Sequence, residues 1–120
     1  MAIRGTVTAA REPTIVLRFL PQRRHIPVLV DTGFSGELCL PLLLIKRLAL
    51  EQYWREPFML ADGRIVHADV YKGQIEWFGQ IRAVEVLALE NPTGLIGTQL
   101  LRGCQLTVQF RRRKVTIAQE

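Results

Sequence analysis

The run Val28-Leu29-Val30-Asp31-Thr32-Gly33 sets a carboxylate, a hydroxyl and a glycine in succession at the end of a greasy stretch. An ionised carboxylate is costly where burial strips it of water, so Asp31 at this position asks for a task, and proton transfer is the chemistry a carboxyl group offers. Few other side chains compete for a chemical role. Cys39 and Cys104 lie in apolar contexts and read as small buried hydrophobes in a reducing compartment. Neither has a Cys-x-x-Cys partner, and His25 and His67 show no ligand spacing, so no metal site and no cofactor are expected. The two histidines read as strand-surface residues.

The elements that must hold Asp31 follow from composition and periodicity. With 120 residues, 48% of them hydrophobic, the chain can bury one sizeable core, and residues 1–120 are expected to form a single domain. The greasiest segment, Pro41 to Leu50, carries Lys46 and Arg47 and falls short of the roughly 20 apolar residues of a membrane span. The first residues lack a cationic start followed by an apolar run, so no secretory signal is expected and a cytoplasmic location is the plain reading. A net charge of +5 invites an acidic partner, and Arg111-Arg112-Arg113-Lys114 is the most basic run. That run falls between Leu106-Val108-Phe110 and Val115-Ile117, where a solvated turn joins two strands, so no nucleic acid is expected.

Alternation with period two recurs along most of the chain, which predicts an all-β protein with one short helix. Strands are expected over Gly5 to Ala10, Ile15 to Leu20 and Ile26 to Val30. Pro41 heads the helix, whose Leu44, Ile45 and Leu48 share one face. Beyond it, Phe58-Met59-Leu60 and Arg64-Ile65-Val66 flank Ala61-Asp62-Gly63, a tight-hairpin signal. Extended pieces follow over Ala68 to Gln74 and Gln74 to Trp77, punctuated by Gly73, and then over Ile81 to Leu89. Asn91-Pro92-Thr93-Gly94 reads as a loop delivering the chain into Leu95-Ile96-Gly97. Thr98 to Arg102 is expected to turn once as a helix before the final two strands.

An Asp-Thr-Gly triplet alone arises by chance in about two per cent of chains this long, so its context carries the weight. An apolar strand leads into it, a Pro41-headed helix follows, and an apolar-apolar-Gly triplet, Leu95-Ile96-Gly97, stands downstream. Together these resemble the retropepsin-like aspartic proteases, and Asp31-Thr32-Gly33-Phe34 leading to Gly36-Glu37-Leu38 and Leu40-Pro41 is most similar to the prokaryotic single-domain members. The resemblance spans about Arg11 to Ala118. It implies a retropepsin-like acid protease half-barrel: a closed β-barrel with a flap hairpin over Phe58 to Val66.

The resemblance further implies an endopeptidase that hydrolyses peptide bonds with a water activated by two carboxylates. One acts as base towards water and the other as acid towards the leaving nitrogen; like charges about 3 Å apart hold one proton between them. The chain has one Asp-Thr-Gly, so the second Asp31 must come from a second copy in a two-fold homodimer. Asp31, Thr32 and Gly33 are the implied catalytic residues. Phe34, Ser35, Leu60, Ala61, Asp62, Gly63 and Arg64 are the implied contacts to an extended polypeptide, and Leu95, Ile96 and Gly97 support the loop from behind.

Several positions depart from the pattern. The hairpin tip has one glycine and two charges where viral flaps are glycine-rich, and Gln99 stands where many relatives carry an acid. Phe34 replaces a small residue, either shaping a substrate pocket or packing against the Leu44-Leu48 helix. Viral relatives interleave both chain ends in one intersubunit sheet, for which Met1-Ala2-Ile3 and Val115-Thr116-Ile117-Ala118 are the candidates. The alternative function is a catalytically inactive peptide-binding or scaffolding module on the same fold.

Overall fold

The computed structural model describes residues 1–59, 62–88, 90 and 92–120. Among these, ten strands and one helix succeed one another as β1 (Ala2–Val7), β2 (Pro13–Leu20), β3 (Arg24–Val30), β4 (Leu38–Leu40), α1 (Leu42–Arg47), β5 (Glu51–Met59), β6 (Ile65–Trp77), β7 (Gln80–Ala88), β8 (Gly94–Ile96), β9 (Cys104–Gln109) and β10 (Lys114–Gln119). All ten share one hydrogen-bonded sheet, ordered β5-β6-β7-β4-β8-β3-β2-β1-β10-β9. Because β6 also pairs with β2, Phe19 opposite Ile75 and Leu20 opposite Gln74, the six strands β2, β3, β8, β4, β7 and β6 close into a barrel. β5 extends outward from β6, and β1, β10 and β9 continue the sheet beyond β2.

Period-two patterning builds this barrel directly. Ile15, Leu17 and Phe19 of β2 are buried while Val16 between them is exposed, and Ile26, Val28 and Val30 of β3 repeat the alternation. Side chains of one parity therefore fill the interior, which Ile75, Val84, Val86 and Ile96 complete from the other strands. The helix α1 plugs this core with Ile45 and Leu48, while Leu42 and Leu43 stay exposed. Lys46 and Arg47 occupy its last turn, where the helix dipole favours cations.

Several elements differ from the sequence-based expectation. β1 begins and ends earlier than Gly5 to Ala10, because the chain turns at Thr8, whose amide donates to the Glu12 carbonyl at 2.9 Å while Arg11 donates back to Thr8. Gly73 does not punctuate β6. It sits buried in mid-strand opposite Val84, so the two expected pieces form one strand of 13 residues. Thr98 to Arg102 form hydrogen-bonded turns and not a helix. β4 was not expected; its three residues are too few to alternate, and all are buried.

The chain ends also differ. β1 and β10 pair with each other within one chain, Ala2 opposite Ala118 and Thr6 opposite Lys114, and β1 lies between β10 and β2. Within the single chain each of these two strands therefore has a neighbour on both sides. Arg111 to Arg113 form the expected turn between β9 and β10, with the Val7 amide donating to the Arg113 carbonyl at 3.2 Å. Among the described residues, no helix is long and apolar enough to cross a membrane.

Candidate active site

Asp31 leaves the end of β3 on a loop fastened to the segment that follows β8. The two strands run parallel, Val30 beside Ile96, so both deliver their chain to the same end of the barrel. Four backbone hydrogen bonds lace the loops together: the amides of Asp31, Gly97, Thr98 and Gln99 pair with the carbonyls of Ile96, Glu37, Phe34 and Gly36 at 2.8 to 3.2 Å. The Phe34 amide closes the loop on the Asp31 carbonyl at 3.1 Å, and the Thr98 hydroxyl adds a weaker bond to the Phe34 carbonyl at 3.4 Å.

This bracing aims the carboxylate. The Gly33 amide donates to Asp31 Oδ1 at 2.9 Å, and among the described residues no basic side chain pairs with Asp31. Asp31 is half-buried, whereas Thr32, Gly33 and Ser35 are exposed. Neither Thr32 nor Ser35 engages its hydroxyl in a hydrogen bond among the described residues, so Ser35 does not touch the carboxylate within one chain.

Phe34 points the other way. Only 6% exposed, it packs with Cys39, Ala68, Val70, Leu87 and Leu95, a cluster joining the loop to β4, β6, β7 and β8. The ring thus packs in this cluster and not with Leu44 and Leu48, which belong to the main core around the helix. The same packing explains Gly97: a methyl group there would lie 2.6 Å from the Phe34 ring and 2.6 Å from its carbonyl oxygen. Leu95 and Ile96 run beside Leu29 and Val30, so the loop-supporting triplet does back onto the Asp31 strand.

The β5–β6 hairpin brings Asp62, Gly63 and Arg64 to its tip; Leu60 and Ala61 lie outside the described residues. Gly63 has φ +87°, which a side chain would disfavour, as the hairpin signal requires. The Arg64 amide and guanidinium donate to the two oxygens of Asp62 at 3.0 and 2.7 Å, holding that carboxyl below its usual range. The tip charges thus satisfy each other.

One supporting residue escaped sequence reasoning. Glu37 accepts from Arg82 Nη2 at 3.0 Å and from the Glu85 amide at 2.9 Å, tying the loop's exit to β7. The adjacent Gly36-Glu37-Leu38 pattern was the available signal, but Arg82 is 45 positions away in the chain. A concavity of about 680 Å³, lined by Leu20, Gln22, Leu48, Leu50, Lys72 and Gly73 among others, lies away from Asp31.

Two solved structures share this architecture. The crystal structure of a retropepsin-like aspartic protease from Rickettsia conorii matches with a TM-score of 0.73 at 16% identity, covering 98% of this chain and 89% of that one. EIAV protease complexed with the inhibitor HBY-793 matches with a TM-score of 0.64 at 20% identity, covering 81% of this chain and 91% of that one. No protein-family model and no curated protein matches the chain. The likeness establishes the fold: the chain is a retropepsin-like β-barrel, as the strand pattern around Asp31 implied.

Proposed function

We propose that the chain, acting as one domain over residues 1–120, is an aspartic endopeptidase whose active unit is a homodimer. The observation that carries this reading is the Asp31 carboxylate itself: held by the Gly33 amide, free of any basic partner among the described residues, and braced from behind by the 96–99 segment of a retropepsin-like barrel. Other acids are poor substitutes for the second carboxyl, since Asp62 is paired with Arg64 and Asp69 with Arg55.

In this mechanism the ionised Asp31 takes a proton from a water that attacks the peptide carbonyl carbon. The protonated Asp31 of the second copy then gives its proton to the nitrogen as the C–N bond breaks. The exposed Thr32 hydroxyl is available to bond the opposite loop, and Gly33 lets the substrate backbone approach. An extended polypeptide lies beneath the hairpin of Asp62, Gly63 and Arg64 and pairs its backbone with neighbouring strands.

Asp31→Asn is the direct test, because the amide keeps the shape and loses the base. Circular dichroism and sedimentation should be unchanged while cleavage of an unfolded protein substrate falls at least about a hundredfold. Undiminished cleavage by that variant refutes the proposal. A wild-type protein that binds extended peptides and never cleaves them is instead the scaffolding module.

A further inference from the structure

Charge is spread unevenly over the barrel. Strands β1, β2, β3, β9 and β10 contain no acid, and the sequence holds one acid before Asp31, Glu12, and one after Glu90, Glu120. The run Arg111-Arg112-Arg113-Lys114 therefore lies where little can neutralise it. Its turn borders a concavity of about 340 Å³ over β1 and β10, lined by Arg4, Thr6, Arg112, Arg113, Lys114 and Thr116 among others. Among the described residues none of these four cations, nor Arg11 in the β1–β2 turn, has a carboxylate within ion-pair distance. Glu120 sits at the far end of the β9–β10 pair, where its amide donates to the Gly103 carbonyl. Arg11 and Arg113 hold φ of +63° and +54°, a region that glycine or asparagine enters at lower cost, so the backbone does not select arginine at either turn.

This basic rim stands at the Asp31 end of the sheet. Leu29, Thr14, Thr6 and Lys114 form one cross-strand row over β3, β2, β1 and β10, so Lys114 lies three strands from the residue two places before Asp31. At about 4.8 Å per strand the row measures about 14 Å, a length that about four residues of extended chain span. We propose that the rim docks an acidic stretch of the polypeptide substrate, held about four to six residues from the bond being cleaved; the proposal rests on the peptidase reading above. Guanidinium groups pair with carboxylates through two parallel N–H donors, and Thr116, the cross-strand neighbour of Arg4, adds a hydroxyl. Among the described residues no aromatic ring lines the concavity, so a single-stranded nucleic acid finds cations here and nothing to stack on. Exposed ion pairs are individually weak and screened by salt, so the rim contributes selectivity between substrates and takes no part in the bond-breaking step.

The test compares peptides that share one cleaved sequence, carrying a block of glutamates about four residues away on either side of the cleaved bond or glutamines in the same places. At low salt the acidic peptide should show a KM about tenfold lower with the same kcat, because docking remote from the reacting bond favours bound substrate and transition state alike. Arg112→Ser with Lys114→Ser should remove most of that preference and Arg4→Ser part of it. In the wild type about 1 M salt should abolish it, since the screening length there is about 3 Å. All three side chains are exposed, so melting temperatures should match the wild type. Arg112→Glu with Lys114→Glu should invert the preference, which damage to the fold cannot do. Equal KM values for the two peptides, or a preference that these variants leave intact, overturn the docking site while the peptidase reading stands. So does an oligonucleotide whose binding the same variants abolish while the peptide preference is unmoved. A chain that cleaves neither peptide overturns both readings.

Discussion

At the residue scale the site depends on how little room surrounds the loop behind Asp31. Gly97 has Phe34 and the Gly36 carbonyl against the place where a side chain would begin. Gly97→Ala must therefore push the Asp31 loop out of position. Overpacking of this kind costs about 1–3 kcal/mol, and we expect thermal melting to record that loss while cleavage falls by a larger factor than stability alone explains. Asp31 and Gly97 were legible in the sequence because short motifs carry local backbone requirements. Phe34 was not, since a large apolar residue beside a carboxylate looks the same whether it faces substrate or core; only the approach of β6 and β7, bringing Ala68, Val70 and Leu87, decides it. Nor was the Glu37–Arg82 pair, whose members meet only when β4 lies beside β7.

At the scale of elements, strands long enough to alternate were readable and short or buried ones were not. β2 and β3 announce themselves by Ile15-Leu17-Phe19 and Ile26-Val28-Val30, whereas Leu38-Cys39-Leu40 is buried throughout and shows no period. Gly73 misled because a glycine in a strand usually marks a break, yet here it lies paired opposite Val84 of β7 in an unbroken strand. The same crowding of strands has an electrostatic cost on β7. Partial burial, then repulsion from Glu37 and Glu56, raises the Glu85 carboxyl above its usual range against the pull of Lys72. A carboxyl raised on folding favours the folded state while protonated and loses that advantage as pH rises through its folded value. Glu85→Gln should accordingly raise the melting temperature slightly at about pH 7 and leave it unchanged at about pH 3, where the wild-type group is already neutral.

At the scale of the whole molecule, the proposed homodimer would make activity a property of association. Cleavage per chain should fall on dilution below the dimer dissociation constant, and an excess of Asp31→Asn protein should suppress wild-type activity by trapping it in mixed pairs. Two copies each carrying +5 also repel, so moderate salt should recover part of the activity lost on dilution by screening that repulsion. Activity that is proportional to protein at all dilutions, and indifferent to the Asn variant, contradicts the shared site.

The pairing of Ala2 with Ala118 has one more consequence. Since first and last strands lie side by side and antiparallel, a bridge of a few residues from Glu120 back to Met1 would turn the backbone into a ring without moving the barrel. The solvent-facing Arg111–Arg113 bend would then be a natural place to cut that ring open again, leaving a rearranged chain with the same layers in the same order.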